Sequence, residues 1–152
     1  MSAQERDLIV RTNAAAMRLD SDEDKFALFQ QRQVFEDILK ISANSLSNKF
    51  EAQTLVKLLR ICAFLENKSD LVTKLLELMK SKVNHLENYE LSQILQSLVL
   101  LSPQDPKFIK NIEMLIMRRI HSFEIKEIAH IIKAYSLLYQ QRKMDLPSFT
   151  FV

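Results

Sequence analysis

Apolar and polar side chains follow one another along this chain with the period of an α-helix. Apolar residues recur three and four positions apart, which places them on one helix face and predicts that this face is buried. Only short stretches separate these patterns, so consecutive helices are expected to run antiparallel. The prediction is an all-α fold of about seven helices. Their expected ranges are residues 3–19, 22–46, 50–66, 70–85, 87–101, 106–121 and 124–141.

Residues at the expected helix ends support these boundaries. Ser2 and Glu5 have the spacing of a capping box, in which each side chain accepts a hydrogen bond from the backbone N–H of the other. The dipeptide Ser21–Asp22 is suited to cap the second helix. The dipeptide Asp105–Pro106 supplies an expected N-cap followed by proline at the first helical position, where no N–H is required.

One helical pattern occurs three times in the chain. Beginning at Phe50, Leu86 and Phe123, and therefore 36 and 37 residues apart, the aligned segments are FEAQTLVKLLRICAFL, LENYELSQILQSLVLL and FEIKEIAHIIKAYSLL. A second helix type recurs between them, as Leu75 and Ile112 illustrate. A single hairpin cannot bury its apolar face, whereas a stack of hairpins shares one core, so this repetition is typical of an α-solenoid of antiparallel helical hairpins. The alternative is an irregular bundle of helices of similar length.

The repeat register also divides the chain and predicts its core. Leu95 and Ile132 hold the same position in successive repeats, so both are expected to be buried. We expect one helical-repeat domain over residues 1–152. Its parts are an N-terminal helical pair at 1–49, the repeats at 50–141 and an extended tail at 142–152.

The composition restricts the chemistry that the chain can perform. It contains no glycine, which excludes a P-loop and the glycine-dependent dinucleotide-binding turn. A single cysteine, Cys62, excludes an internal disulfide and a cysteine zinc site. The net charge of +2 does not indicate a nucleic-acid or membrane partner. No run of about 18 apolar residues is present to form a transmembrane segment, and no cofactor is expected.

The nucleophilic and titratable residues have structural explanations. Cys62 aligns with core positions of the other repeats, so we expect a buried structural cysteine. His85 and His121 fall in connections between helices, His130 falls at a polar helix position, and all three are expected on the solvated surface. Glu51, Glu87 and Glu124 are expected in the first turn of each repeated helix, where a negative charge interacts favourably with the helix dipole. Since each of these residues has a structural explanation, we expect no enzymatic activity.

The period and the motif resemble a known class of helical repeat. Over residues 34–141, the 36–37-residue spacing and the pattern F/L-E-x-x-x-L/I-x-x-I/L-L/I are similar to those of octotricopeptide and heptatricopeptide repeat proteins and of FAST kinase domain-containing proteins. The resemblance implies organellar RNA binding or a place in an organellar ribonucleoprotein, and a mitochondrial location; a cytoplasmic location is the alternative. Because Glu5 and Asp7 are unusual in a transit peptide, we expect the first segment to be a retained helix.

Two aligned sets of polar residues recur on the repeated helices. In a stack they would form two parallel, mildly basic rows, which we call the polar ladder. Such rows suit phosphates or amide hydrogen bonds, so contact with RNA, contact with protein and a simple solvated face all remain open. The first row is Lys57, Gln93 and His130, and the second is Arg60, Gln96 and Lys133.

The last repeated helix has a wide apolar arc and no following helix in this sequence to cover it. Because terminal repeats normally carry a polar outer face, this end is a candidate docking surface for another chain. Pro147 prevents the tail from continuing as a regular helix. The candidate docking residues are Leu137, Tyr139, Leu146, Phe149 and Phe151.

These patterns predict a non-enzymatic scaffold or adaptor, with other subunits of a larger assembly as its partners. An organellar ribonucleoprotein such as the mitochondrial ribosome is the first expectation, because of the family resemblance. A protein-only accessory subunit of a respiratory or ATP-synthase complex and a free RNA-binding regulator are the alternatives.

Overall fold

Eight α-helices and two short 3-10 helices make up the part of the chain that the computed structural model describes, residues 1–21, 25–67, 69–101 and 105–142. No strand occurs in these residues, and the prediction of an all-helical chain is confirmed. The α-helices are α1 (Ala3–Asp20), α2 (Lys25–Gln30), α3 (Arg32–Ser45), α4 (Ala52–Phe64), α5 (Asp70–Met79), α6 (Asn88–Leu101), α7 (Pro106–Arg118) and α8 (Ile125–Arg142). The 3-10 helices are η1 (Val83–His85) and η2 (Ile120–Ser122).

The helix expected over residues 22–46 is instead two helices. The chain leaves helical geometry at Gln31, with φ −99° and ψ 12°, and Gln31 N–H donates to Leu28 O at 3.0 Å in a tight turn. Within α2, Leu28 is buried while Phe26 and Phe29 are exposed. Ser21 is the C-cap of α1, and Asp22 lies outside the described residues.

The local signals at other helix ends act as expected. Ser2 and Glu5 form the predicted capping box, with both hydrogen bonds at 3.1 Å. Hydrogen bonding of the Glu5 carboxyl to the Ser2 backbone N–H, and then to the Ser2 and Ser47 hydroxyls, lowers the pKa of that carboxyl. Asp105 Oδ1 accepts from Phe108 N–H at 3.1 Å at the start of α7. Glu66, just after α4, has a left-handed φ of 53°, a conformation that glycine adopts most easily and that this glycine-free chain gives to another residue.

The repeated glutamates lie just before the first helical turns in which they were expected. Glu87 and Glu124 precede α6 and α8, and Glu51 is the N-cap of α4 without a side-chain capping bond. The carboxylates within the first turns are instead Glu90 and Glu127. They accept hydrogen bonds from the backbone N–H groups of Glu87 and Glu124, at 3.0 and 2.8 Å.

Helices that are distant in sequence pack in a regular order. α1, α4, α6 and α8 form a row in which each helix packs against the next. α3, α5 and α7 lie on the other side: α3 contacts α1, α4 and α5, α5 contacts α4, and α7 contacts α6. One apolar core runs between these groups of helices, from Leu8 in α1 to Ile131 in α8.

Burial follows the repeat register in the middle of the chain and departs from it at α8. Leu95 in α6 is only 2% exposed, as predicted. Ile132, its equivalent in α8, is 48% exposed, so the prediction that both are buried is wrong for Ile132. The reason is that α6 has a neighbour in the row on each side, whereas α8 has only α6 among the described residues.

Lys82 follows α5 and Arg119 follows α7, and each hydrogen-bonds to backbone carbonyls at the start of the repeated helix before it, α4 and α6 respectively. Lys82 Nζ lies 2.5 Å from both Asn48 O and Phe50 O. Arg119 lies 37 residues after Lys82 and donates to two carbonyl oxygens of residues that align with Asn48 and Phe50, each 36 positions further on. These bonds run from Nη1 to Leu86 O at 2.6 Å and from Nη2 to Asn84 O at 3.0 Å. We call this pair of contacts the carbonyl clamp.

Candidate binding groove

The first two cations of the polar ladder are already engaged within the protein. Helix α1 packs beside α4, where Lys57 Nζ donates to Asn13 Oδ1 at 2.9 Å. Arg60 Nη2 forms an ion pair with Asp20 Oδ1 at 2.5 Å, and the Arg60 side chain is only 15% exposed. The sequence repeat predicts that Lys57 and Arg60 lie on an uncovered helix face. In the structure, α1, which lies outside the repeats, covers that face.

Four of the six ladder residues line one groove. The groove crosses α4, α6 and α8, has a volume of about 500 Å³ and is also lined by Leu19 and Asp20 of α1. Lys57 and Lys133 are not among its lining residues; Lys133 is exposed on α8. The ladder residues that line the groove are Arg60, Gln93, Gln96 and His130.

The groove combines an apolar floor with neutral hydrogen-bonding groups. Ala63, Phe64 and Leu100 supply apolar surface, and α6 adds the hydroxyl groups of Tyr89, Ser92 and Ser97 beside the Gln93 and Gln96 amides. Ser92 Oγ is oriented by donating to Tyr89 O at 2.6 Å. An amide side chain both donates and accepts, which matches the backbone of an extended peptide.

The lysine and the arginine that line the groove have different surroundings. Asp20 neutralises Arg60 at the α1 end, whereas Lys126 is exposed and His130 is half-buried on α8. His130 lines the groove and is only partly exposed there. His85 and His121 are exposed in the two 3-10 helices, as expected.

Cys62 lies in the core, as its repeat position predicts. Its side chain is fully buried, and this desolvation raises the pKa of the thiol to about 12. A thiol that stays protonated is a poor nucleophile. In the described ranges, no three His, Cys, Asp or Glu side chains are grouped so that they could hold a metal ion.

A buried polar pair in the last repeat has no counterpart in the sequence predictions. Tyr135 in α8 donates a 2.7 Å hydrogen bond to Glu113 Oε2 in α7, and Glu113 is 6% exposed. Burial, together with this bond, raises the pKa of the Tyr135 hydroxyl. The aligned positions of the preceding repeat are Leu76 and Leu98, both buried. A charged residue at an aligned core position is the sequence signal that could have revealed the pair.

The predicted docking end is described only in part. Leu137 and Tyr139 lie in α8, but their side chains are outside the description, and Leu146, Phe149 and Phe151 lie beyond the described residues altogether. The described part of α8 nevertheless presents apolar surface of its own. There Ile125 is 87% exposed, and Ala129 and Ile132, one and two turns further on, are exposed as well.

Comparison of the chain with protein-family models, with curated proteins and with solved structures gives no match. Among the helices of the described ranges, none combines the length and the apolar character that a membrane crossing requires.

Proposed function

We propose that this chain is a non-enzymatic scaffold subunit, built as a short α-solenoid, that holds an extended segment of a partner protein in the groove across α4, α6 and α8. The row order of the helices supports the solenoid, since the three helices that carry the repeated sequence pattern, α4, α6 and α8, pack one against the next. The carbonyl clamp supports it as well, because the same contact recurs at the same repeat position.

The groove chemistry is the observation that carries the proposal. Three successive helices line one cleft with amide and hydroxyl groups over an apolar floor, which fits a peptide better than a phosphate chain. Nucleic-acid backbones are bound mainly by unpaired Lys and Arg. Here Lys57 is bound to Asn13 and Arg60 to Asp20, so the ladder offers fewer free cations than its sequence suggests.

We place the assembly among organellar ribonucleoproteins, such as the mitochondrial ribosome, because of the resemblance to organellar helical-repeat proteins. In such a particle a protein subunit can bind its neighbours without binding RNA by itself. A protein-only respiratory or ATP-synthase complex would use the same groove in the same way. Mass spectrometry of the chains that co-purify with the full-length protein distinguishes these two settings.

The groove is tested by replacing Gln93 and Gln96 together with alanine. We expect the double variant to lose at least tenfold in affinity for the co-purifying partner, while its melting temperature changes little because both side chains are only partly buried. The matched control is Lys107→Ala with Asn111→Ala on the exposed side of α7. Unchanged partner affinity in the groove variant would contradict the proposal.

A free RNA-binding regulator is separated from a scaffold by salt. Replacing the exposed Lys126 and Lys133 with glutamine avoids the internal contacts of Lys57 and Arg60. If the isolated protein bound RNA through α8, its affinity would fall steeply with salt and the slope would flatten by about one per lost phosphate contact. We expect no such steep dependence, and finding one would favour the regulator.

A further inference from the structure

The carbonyl clamp occurs at two junctions, and its acceptor half is present a third time. The residues that align with the acceptors Asn84 and Leu86, 37 positions later, are His121 and Phe123, just before α8. Within the described ranges, no side chain donates to His121 O or Phe123 O. The entrance to α8 therefore carries the acceptor arrangement of a repeat junction without the cation that completes the other two.

The exposed face of α8 corresponds to faces that are covered elsewhere. Its members are one or two helical turns apart, and their aligned residues in α4 and α6 are buried against the neighbouring helices of the row. The exposed residues of α8 are Ala129, Ile132 and Ser136; their buried equivalents are Val56, Leu59 and Ala63 in α4 and Ser92, Leu95 and Val99 in α6. Ile125, 87% exposed, extends the same face by one turn.

We propose that this end is a repeat junction completed by a helical hairpin of another protein. The first helix of that hairpin ends in a Lys or Arg that donates to His121 O and Phe123 O, as Arg119 does one repeat earlier. Its second helix packs along α8 over Ile125 and Ile132. This inference rests on the proposed scaffold function and adds to the groove a second contact surface, at the α8 end of the row.

A second copy of this chain fits less well. If a second copy stacked on α8 through its own N-terminal end, its α3 would take the place of the helix that ends in the cation. The residue of α3 that aligns with Lys82, 37 positions earlier, is Ser45. Serine has no cation for the carbonyl pair, so a different protein is the better match.

The first experiment measures co-sedimentation of the full-length chain with its assembly. Ile132→Lys alone and with Ile125→Lys should each reduce the associated fraction at least tenfold, because a charge would be buried at the junction. Both side chains are exposed in the free chain, so its helicity and melting temperature should stay unchanged. The matched control, Lys110→Glu on the exposed side of α7, should leave association intact.

The second experiment identifies the occupant. A photo-crosslinking amino acid at position 132 of the full-length chain should join it to an amphipathic helix of another protein that follows a helix ending in Lys or Arg. Crosslinks to a second copy of this chain, to its own residues 143–152 or to RNA would each overturn the proposal.

The two possible failures are distinguishable. If the unmodified chain sediments alone, the scaffold function fails and the junction fails with it. If the unmodified chain and the Ile132→Lys variant associate equally well, the scaffold function stands and the junction alone is overturned.

Discussion

Helices α6 and α8 have closely similar sequence patterns and different surroundings. Leu95 and Ile132 hold the same position in the two helices, yet one is 2% and the other 48% exposed. α6 lies between α4 and α8, whereas α8 has α6 on one side only among the described residues. In a repeat, sequence decides which face is apolar, and the number of neighbouring helices decides whether that face is covered.

The interior of the two repeats differs as well. Where α5 and α6 bring Leu76 and Leu98 into the core, α7 and α8 bring Glu113 and Tyr135. The Tyr135 hydroxyl donates the hydrogen bond that the buried Glu113 side chain requires, and this bond replaces the apolar contact that leucines make in the preceding repeat. The last repeat is thus more polar inside and more apolar outside than the repeat before it.

The largest expected effect contrasts the two aligned core positions. Leu95→Ala should reduce the free energy of unfolding by about 2–5 kcal/mol, because it opens a cavity among buried neighbours. Ile132→Ala should reduce the free energy of unfolding by less than about 1 kcal/mol, because the Ile132 side chain is already about half exposed to solvent. Urea unfolding of both variants measures the difference, and equal costs would contradict the difference in burial.

Next in size is the carbonyl clamp between repeats. Arg119→Met should cost about 1–3 kcal/mol, because two carbonyl oxygens lose charge-assisted hydrogen bonds. Arg119→Lys should recover part of this loss, as Lys82 makes the equivalent contacts with an ammonium group. Thermal unfolding of the two variants provides the measurement. Equal destabilisation by Met and Lys would mean that the arginine stem, rather than its donors, matters.

The polar pair should give α7 and α8 a pH dependence that the preceding repeat lacks. Burial and the hydrogen bond to Glu113 raise the pKa of Tyr135 above its ordinary value of 10.0, so folding favours the protonated phenol. The resulting stabilisation is complete below about pH 10 and is lost as the pH rises above it.

Tyr135→Phe should cost about 1–3 kcal/mol near neutral pH, and it should remove this part of the alkaline loss. Tyr89→Phe is the matched control, since Tyr89 is an exposed tyrosine on α6. Denaturant unfolding at pH 7 and above pH 10 tests the expectation. Parallel pH profiles for the wild type and Tyr135→Phe would contradict it.

Cys62 provides a probe without altering the protein. It aligns with Leu98 and Tyr135 and is fully buried, and its thiol has a pKa of about 12, so a thiol reagent near pH 8 should not label the folded chain. After unfolding in urea, the single cysteine should react completely. Rapid labelling of the native protein would show that the core between α4 and its neighbours opens readily.

Local interactions account for what could be predicted from the sequence. Helix positions follow from apolar spacing, and the bonds of Ser2 with Glu5 and of Asp105 with Phe108 join residues three apart, so the sequence contains both partners. The recurrence of a basic residue at positions 82 and 119 was also visible in the sequence. Its carbonyl acceptors, more than thirty residues earlier, were not, because backbone oxygens leave no pattern of their own.

The sequence by itself determined most of the helices, the caps at Ser2 and Asp105 and the apolar face of each repeated helix, because these depend on residues within a few turns of one another. Only the tertiary structure decided that α1 takes up Lys57 and Arg60, that His130 faces a groove and that Ile132 is exposed. Each outcome depends on which helix lies alongside. The sequence periodicity indicates which face of each repeated helix is apolar, but not which helices lie beside the first and the last of them.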